Sequence, residues 1–181
     1  MSFDRQPTLV GEILELRPLR ANDYQALFRV AADPLIWEQH PERNRYQEAT
    51  FRAFFDEALA SGGALVAIDR ANGQIIGSSR YHGYDPASSV VEIGWTFLAR
   101  AYWGGRYNGE MKRLMLEHAF RFVKRVIFVI GPRNRRSQRA VEKIGGVRAG
   151  TTTDARGQKR VVYELTLALY GGPKKPAPPN L

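Results

Sequence analysis

The sequence predicts one α/β (α+β) domain in which a mixed, mostly antiparallel sheet of about seven strands carries helices on both faces. Three observations predict this fold. Short β-branched runs alternate with helical apolar spacing, an antiparallel meander is expected at 64–97, and a helical segment joins apolar runs at 90–97 and 125–130. Strands joined by a helix are normally parallel neighbours. The predicted order of elements is β-α-α-β-β-β-α-β-α-β-β.

The first third of the chain predicts a strand and two helices. Residues 1–8 are expected to form a flexible N-terminus, and apolar alternation over 9–19 indicates a strand or hairpin. A helix follows, capped by Asn22 or Asp23. A second helix is predicted over 47–61, with its apolar side at Phe51, Phe54, Phe55, Ala58 and Leu59.

The middle of the chain predicts a meander that leads into a glycine-bearing turn. Strands are expected at 64–69 and 74–82, with a hairpin turn between them, and a third strand at 90–97. The turn over 98–109 then opens a helix. Glycine allows positive φ, and a helix N-terminus presents unpaired N–H groups with the positive end of its dipole. Together these features predict a phosphate-binding loop, although a plain strand-to-helix loop would have the same spacing.

The last third of the chain completes the sheet. The expected elements are a buried strand at 125–130, a helix at 134–144, and a hairpin of strands at 147–151 and 160–168. One domain is therefore predicted over 9–170. The tail at 171–181 is rich in Pro, Gly and Lys and is expected to be disordered.

Composition excludes several classes of protein. The chain has no cysteine, which excludes disulfides and thiolate metal ligands. No apolar run approaches the roughly 20 residues of a membrane span, and the N-terminus lacks the apolar core of a secretion signal. We therefore expect a cytoplasmic protein without a metal and without a membrane partner. A homodimer is compatible with the sequence.

The net charge of +9 is concentrated in one segment. Residues 124–160 hold 11 Lys or Arg against 2 Asp or Glu, whereas the rest of the chain is balanced. Such a segment favours nucleic acid or a phosphate-rich cofactor, with a solvated basic face as the alternative. Nucleic acid is disfavoured because no zinc-finger spacing, RNP-type signature or helix-turn-helix is evident. A Walker A loop is disfavoured because Glu110 and Met111 stand where Lys and Ser or Thr are required.

Three sequence features together resemble the GNAT N-acetyltransferases. They are Glu92-Ile-Gly-Trp95, the turn Tyr102-Trp-Gly-Gly-Arg-Tyr-Asn108, and the Asn-x-x-Ser…Glu-Lys-x-Gly segment from Asn134 to Gly145. The likeness is closest to the branch of ribosomal-protein N-terminal (alanine) acetyltransferases. The resemblance extends over about 9–168 and implies the GNAT fold. The family's pyrophosphate loop usually reads Gln/Arg-x-x-Gly-x-Gly/Ala, and the glycines of this chain are shifted from those positions.

The resemblance implies which residues would hold acetyl-CoA. Backbone N–H groups of the glycine turn would bind the pyrophosphate, and the end of the central strand would pair with the pantetheine arm. Asn134 would hold the cofactor or an ordered water, and it is also placed to cap the following helix. The arginines at 106 and 133–139 would meet CoA phosphates or lie on a solvated surface. The predicted cofactor residues are Phe97, Leu98, Trp103, Gly104, Gly105, Arg106, Tyr107, Asn108, Gly109, Asn134 and Ser137.

The resemblance also implies two catalytic residues, Glu92 and Ser137. Glu92 would accept the proton of the amine through a water, since a carboxylate facing a cleft can have a raised pKa. A satisfied ion pair at the strand end is the structural alternative. Ser137 would act near the thiol. The tyrosine that many family members use as general acid maps to Val141, so the acid is open among Ser137, Tyr102 and Tyr107.

Four residues are candidates for the acceptor pocket because of their position in the family. They are Trp37, Tyr81, His82 and Tyr84. Trp37 is more often a core residue than a pocket residue, and His82 could assist proton transfer because histidine titrates near neutrality. His40, which precedes Pro41, is expected at the surface, and His118 is expected to be a partly buried structural residue.

The predicted function is transfer of an acetyl group from acetyl-CoA to a primary amine by direct attack. No covalent enzyme intermediate is expected, in agreement with the absence of cysteine. Two hypotheses from other classes remain: a catalytically idle domain that binds CoA and regulates, and a nucleic-acid-binding module that uses residues 124–160. The acceptor is open between a small molecule and a protein N-terminus.

Overall fold

The computed structural model describes residues 2–171, which form one eight-stranded sheet with helices on both faces. The strands are β1 (Leu9–Val10), β2 (Leu14–Pro18), β3 (Ala64–Asp69), β4 (Ile75–Asp85), β5 (Val90–Leu98), β6 (Arg125–Ile130), β7 (Val147–Thr153) and β8 (Lys159–Thr166). The α-helices are α1 (Tyr24–Ala31), α2 (Glu48–Ala60), α3 (Arg106–Ala119), α4 (Arg135–Lys143) and α5 (Leu167–Tyr170). Short 3-10 turns lie at Ala21–Asp23, Pro34–Ile36, Arg43–Tyr46 and Arg100–Tyr102.

The strand order of the sheet is β1-β2-β3-β4-β5-β6-β8-β7, and β5 and β6 are its parallel pair. This confirms the predicted mixed, mostly antiparallel sheet. The predicted number of about seven strands is too low, because the first apolar segment folds into a hairpin of two strands. The carboxylate of Glu110 in α3 stabilises that hairpin by accepting the backbone N–H groups of Glu12, Ile13 and Leu14 at 2.8–2.9 Å.

Two apolar cores lie on opposite faces of the sheet. The larger core packs α3 against the sheet and includes Val91, Met115 and Phe128. The smaller core packs α1 and α2 against the other face and includes Phe51 and Phe97. The predicted apolar side of the second helix is confirmed, since four of its five residues are buried and Leu59 packs beside them.

Several boundaries differ from the sequence prediction. Phe3, inside the segment expected to be loose, is buried against aromatic residues of the larger core. Asp23 makes no cap contact at the start of α1, because its carboxylate accepts the N–H of Arg20 and pairs with Arg17 at 2.7 Å. β8 ends at Thr166, whose hydroxyl caps α5. The tail at 171–181 was predicted to be disordered, and from residue 172 onwards it lies outside the described residues.

None of the helices within residues 2–171 has the length and apolar character that crossing a bilayer requires.

Candidate active site

The sheet splits between its two parallel strands. β5 pairs with β6 only over Val90–Glu92, opposite Arg125–Ile127. On its other side β5 contains a bulge, because Trp95 and Thr96 together oppose the single residue Ser79 of β4. Within the described chain, the edge of β5 that faces β6 therefore has no strand partner beyond Glu92. That edge offers backbone N–H and C=O groups to a ligand.

The bulge imposes a left-handed backbone on a tryptophan. Trp95 has φ +52°, a conformation that costs a non-glycine residue of order 1–3 kcal/mol. Its ring is held between the guanidinium of Arg80, 4.6 Å from the ring centroid, and the imidazole of His82 at 5.0 Å. Sequence reasoning missed this bulge, although Gly94 inside an apolar strand is the signal that often marks one.

Glu92 lies at the last paired position before the split, on the face that carries α1 and α2. Its carboxylate is half-buried, and burial raises its pKa to about 7 while Arg80 opposes that rise. His82 lies directly opposite on β4. A side chain at Gly94 would come within 3.1 Å of the carboxylate, so the glycine makes room for it. A carboxyl group with this pKa can accept a proton near neutral pH.

Arg80 supplies unpartnered hydrogen-bond donors beside Glu92. The residue is 2% exposed, and one guanidinium nitrogen donates to Glu57 at 2.9 Å. Its Nε and its other terminal nitrogen have no acceptor among residues 2–171. Buried donors are normally satisfied. These two nitrogens, which carry three N–H groups, can therefore donate to a water molecule or a substrate oxygen next to Glu92.

The glycine turn presents backbone N–H groups at the N-terminus of α3. Gly104 has φ +70°, and a Cβ at Gly104, Gly105 or Gly109 would meet nothing within 4 Å. The N–H groups of Gly104 and Gly105 have no backbone acceptor within residues 2–171. A cavity of about 390 Å³ adjoins this turn. This donor set fits a phosphate group.

Trp103 crosses from the glycine turn to the end of β5. Its indole N–H donates to the carbonyl of Leu98 at 2.9 Å, and the guanidinium of Arg136 lies 3.9 Å above its ring. Phe97 and Leu98 are both buried. The carbonyl of Leu98 is therefore already engaged, and the free strand edge expected for the pantetheine arm lies between Glu92 and Leu98.

Three other side chains of the turn contact acidic residues between β1 and β2 and at the end of β3. Arg106 makes an exposed ion pair with Glu12 at 2.7 Å. The hydroxyls of Tyr102 and Tyr107 both donate to the carboxylate of Asp69, at 3.1 and 3.2 Å. Their candidacy as the general acid is not supported, because both protons are committed to Asp69. Asn108 is half-buried in the first turn of α3.

Asn134 and Ser137 lie together at the start of α4. The side chain of Asn134 accepts the backbone N–H of Ser137 at 3.2 Å, so Asn134 is the helix cap. Ser137 is half-buried in the first helical turn. Val141, at the position of the family's tyrosine, is buried in the larger core.

Three of the four residues predicted for the acceptor pocket are packed elsewhere. Trp37 is 2% exposed and donates its indole N–H to a carbonyl of α1 at 2.8 Å. Tyr81 is fully buried, and its hydroxyl donates to a carbonyl of α3 at 2.6 Å. Tyr84 packs against Phe3 on the α3 face, which is opposite to Glu92. His82 alone is exposed next to Glu92. The aromatic residues of β4 were assigned to the pocket from their position in the family, and the sequence alone does not show which face of the sheet each one occupies.

A cavity of about 310 Å³ opens where β6 ends. Among residues 2–171, its lining includes no carboxylate and four cations: Arg43, Arg133, Lys159 and Arg160. Of these, Arg160 forms an ion pair with Asp154. Part of the basic segment at 124–160 thus lines a cavity of its own.

His40 also lines this cavity and differs from the expected surface histidine. It is half-buried, and burial together with Arg45 lowers its pKa to about 3. One ring nitrogen lies 3.2 Å from Arg45, and the other accepts the backbone N–H of Glu42 at 2.9 Å. His40 is therefore neutral and structural. His118, predicted to be partly buried, is buried, with Nε2 2.7 Å from the carbonyl of Asp4.

Lys112 is the main residue of the site that sequence reasoning missed. It is 5% exposed, and its ammonium group donates to Thr96 Oγ1 at 2.6 Å. Its signal was present, because Lys112 precedes Leu116 and Ala119 by four and seven residues on the apolar side of α3.

Comparison with known proteins adds a family to this geometry. A family model described as an acetyltransferase (GNAT) domain matches residues 14–147. Among curated proteins, no sequence matches the chain.

Solved structures share the fold over most of the chain. A probable GNAT-family acetyltransferase from Chromobacterium violaceum ATCC 12472 is 25% identical, with a TM-score of 0.81 over 91% of this chain and 88% of its own. A GCN5-related N-acetyltransferase from Brucella melitensis is 21% identical, with a TM-score of 0.81 over 92% and 81%. Mycobacterium smegmatis RimJ, solved with CoA-disulfide, is 18% identical, with a TM-score of 0.68 over 90% and 87%. The last two likenesses concern the fold alone.

Proposed function

The chain belongs to the GNAT family of acetyltransferases, and we propose that it transfers an acetyl group from acetyl-CoA to a primary amine by direct attack of that amine. The observation that carries the proposal is the split between β5 and β6, which begins beyond Glu92. An open strand edge, a carboxylate with a pKa of about 7 and a phosphate-binding turn lie along one strand and the loop that follows it.

The residues of the split and the glycine turn fit acetyl-CoA. The backbone N–H groups of Gly104 and Gly105 would hold its pyrophosphate, and the free edge of β5 beyond Glu92 would hold its amide-bearing arm. When bound, acetyl-CoA supplies an activated acetyl group. A backbone N–H of this edge would stabilise the developing oxyanion, an effect worth about 2–4 kcal/mol. Asn134 would act mainly by fixing the start of α4.

Glu92 would take the proton of the attacking amine. Its pKa of about 7 places it near that of an α-amino group, about 8, so the transfer is close to balanced. The unpartnered N–H groups of Arg80 support a water between the amine and Glu92. His82, opposite on β4, is a second group that can contact this water.

The charge of the cavity where β6 ends supports a particular class of acceptor. Its four cationic side chains, its lack of carboxylates and its volume of about 310 Å³ suit an amine that also carries a carboxylate or phosphate. Both an acidic peptide with a free N-terminus and a small amino acid have this chemistry. The acceptor is therefore proposed to carry a carboxylate or phosphate at some distance from its amine.

Calorimetry with acetyl-CoA and thiol release with a panel of amines test this function. The panel contains α-amino peptides, amino acids, polyamines and an aminoglycoside. We expect micromolar binding of acetyl-CoA and thiol release with at least one α-amino compound. No binding overturns the acetyltransferase proposal. Binding without turnover of any amine would instead favour an idle, CoA-binding regulatory domain.

A matched pair of variants isolates the role of α4. Asn134→Ser replaces the capping amide oxygen with a hydroxyl oxygen that can also cap the helix, whereas Asn134→Ala removes the cap at a typical cost of about 1 kcal/mol. If Asn134 acts by fixing α4, acetyl-CoA should bind Asn134→Ser as it binds the parent chain and bind Asn134→Ala more weakly.

A further inference from the structure

Lys112 is a buried cation with no carboxylate partner in the part of the chain that the structure describes. The residue is 5% exposed, and Thr96 Oγ1 is its hydrogen-bond acceptor within residues 2–171. Buried lysines are almost always paired with an acid, because an unpaired buried charge is costly. An ammonium group has three N–H donors, so this one has donors left for another partner. Because burying this group destabilises the fold, its presence here suggests a functional role.

The position of the ammonium group is the base of the split. Thr96, which accepts its hydrogen bond, lies on β5 beyond the last residue paired with β6. Phe128, whose ring centroid is 5.5 Å from Lys112 Nζ, is the first residue of β6 beyond that pairing. Lys112 therefore reaches from α3 to the point where the two strands separate.

Hydroxyl groups hold the ammonium group in place. Thr96 Oγ1 and Ser79 Oγ hydrogen-bond to each other at 2.8 Å, and both lie near the carbonyl of Gly94. Since these groups carry no charge, they orient Lys112 without neutralising it. Burial lowers the pKa of Lys112 to about 7, so the amine can give and regain a proton near neutral pH.

We propose that the ammonium group of Lys112 contacts the sulfur of acetyl-CoA in the split and gives its proton to that sulfur as the carbon–sulfur bond breaks. This inference rests on the proposed function. It assigns the role of general acid to Lys112. Val141 has no titratable proton, and the hydroxyls of Tyr102 and Tyr107 are committed to Asp69. Ser137, at the start of α4, is the other candidate for that role.

The atoms and protons of the step balance. The acceptor nitrogen forms its bond to the acetyl carbon and loses a proton to Glu92. The carbon–sulfur bond breaks with its electron pair on sulfur, which takes a proton from Lys112 Nζ and leaves as the CoA thiol. Lys112 then regains a proton from water and Glu92 releases one, so the protein returns to its starting state.

The pKa of the thiol of bound CoA tests the contact without an acceptor. CoA is mixed with the full chain, and its thiolate is followed by ultraviolet absorbance from neutral to alkaline pH. A thiolate and the ammonium form of Lys112 stabilise each other's charge, so the thiolate holds the proton on Lys112, and the thiol pKa should be lower in the complex than in free CoA. In Lys112→Met, which keeps a chain of similar length without the charge, that pKa should rise by about one unit or more. Lys124→Met, at an exposed lysine, should leave it unchanged.

The outcomes separate this inference from the proposed function. If CoA binds both proteins and the thiol pKa is the same in the parent chain and in Lys112→Met, the contact is disproved. If CoA does not bind the parent chain, the proposed function fails instead. Should Lys112→Met not fold, Thr96→Val removes the hydroxyl that orients the amine, and an unchanged thiol pKa in that variant overturns the proposal equally.

Lys112→Arg distinguishes charge from proton transfer. Arginine keeps the positive charge but does not release a proton, since its pKa exceeds about 12. We expect the thiol pKa of bound CoA to stay low while kcat falls at least tenfold with an amine identified in the panel, and KM for acetyl-CoA to change little. Turnover equal to that of the parent chain would overturn the proton transfer.

Discussion

The two faces of β5 carry groups of opposite kind that titrate near the same pH. On the face of α1 and α2, burial raises the pKa of Glu92 to about 7. On the face of α3, burial lowers the pKa of Lys112 to about 7. Both shifts have one physical cause, the removal of a charged group from water. It raises the pKa of the acid and lowers the pKa of the base to about the same value.

The surroundings of the two groups differ in a way that suits different tasks. Glu92 lies near the cation Arg80 and opposite the exposed ring of His82, so its face has charge and access to solvent. Lys112 has hydroxyls and an aromatic ring as neighbours. On the face of Glu92, a proton that leaves the site can pass to water. On the face of Lys112, the proton that is needed inside the split is shielded from water. The split therefore allows base and acid to act from opposite faces of one strand.

The largest expected effect is on turnover when the base is removed. Glu92→Gln keeps the size of the side chain and removes its capacity to accept a proton. We expect kcat with an accepted amine to fall by about 10²–10⁴-fold, the usual contribution of a general base. Acetyl-CoA binding, measured by calorimetry, should be unchanged. The acid limb of the pH–rate profile, which reports deprotonation of a group with a pKa of about 7, should disappear.

Glu57→Gln is the matched control for this variant. Glu57 is an exposed carboxylate that pairs with the same arginine, Arg80, at 2.9 Å. It lies outside the proposed proton path, and we expect less than a threefold change in kcat, as for a typical exposed ion pair. Equal losses in the two variants would mean that Glu92 acts through the charge balance around Arg80 and not as the base.

The next effect is on stability, where the two faces should respond oppositely to pH. Glu92 has a raised pKa in the fold, so its contribution is present below about 4.5 and is lost as the pH rises through 7. Lys112 has a lowered pKa, so its contribution is present above about 10.5 and is lost as the pH falls through 7. Each group therefore adds a slope of up to about 1.4 kcal/mol per pH unit within its window.

Urea unfolding of the parent chain and of the two variants measures these slopes. Glu92→Gln should remove the decrease in the free energy of unfolding between pH 4.5 and 7. Lys112→Met should remove the increase between pH 7 and 10.5 and should be the more stable protein at pH 7. If both variants change the free energy of unfolding in the same pH range, Glu92 and Lys112 do not titrate independently.

Sequence patterns predicted the fold well because its elements depend on local features. The strand at 125–130 is observed with those bounds, since a continuous apolar run between a helix and a glycine leaves little alternative. The second helix, expected at 47–61, is observed at Glu48–Ala60 with four buried residues in its predicted stripe. Thr166 ended the last strand early because its hydroxyl could cap a turn of helix.

The candidate site was less accessible to sequence because it depends on contacts between distant elements. The split is accompanied by a bulge at Trp95, which is visible only when the register of β5 against β4 is known. Tyr81 and Trp37 were misplaced for the same reason: their faces depend on strand register and on packing of α1. Lys112 was missed because a charge on a helix usually marks its solvated side.

A smaller effect is expected when the cation beside the base is removed. Arg80 lowers the pKa of Glu92 against the effect of burial. Arg80→Met should therefore raise that pKa further and move the acid limb of the pH–rate profile to higher pH by about one unit or less. The profile of an accepted amine, measured from pH 5 to 9, checks the direction. A shift to lower pH would contradict the assignment of this limb to Glu92.

The smallest expected effect concerns the acceptor, which should meet the cations where β6 ends. Arg133 and Lys159 are exposed and line the cavity there. If it receives an anionic group, Arg133→Gln and Lys159→Gln should each raise KM for an acidic α-amino peptide by about three- to tenfold, the value of one exposed charge contact. KM for the same peptide with Gln in place of its Asp and Glu residues should change less than twofold, as should KM for acetyl-CoA. Arg29 is an exposed arginine on α1, and an equal rise in the peptide KM for Arg29→Gln would indicate general attraction by the positive chain. A weaker affinity of Arg133→Gln or Lys159→Gln for acetyl-CoA would instead assign the cavity to a CoA phosphate.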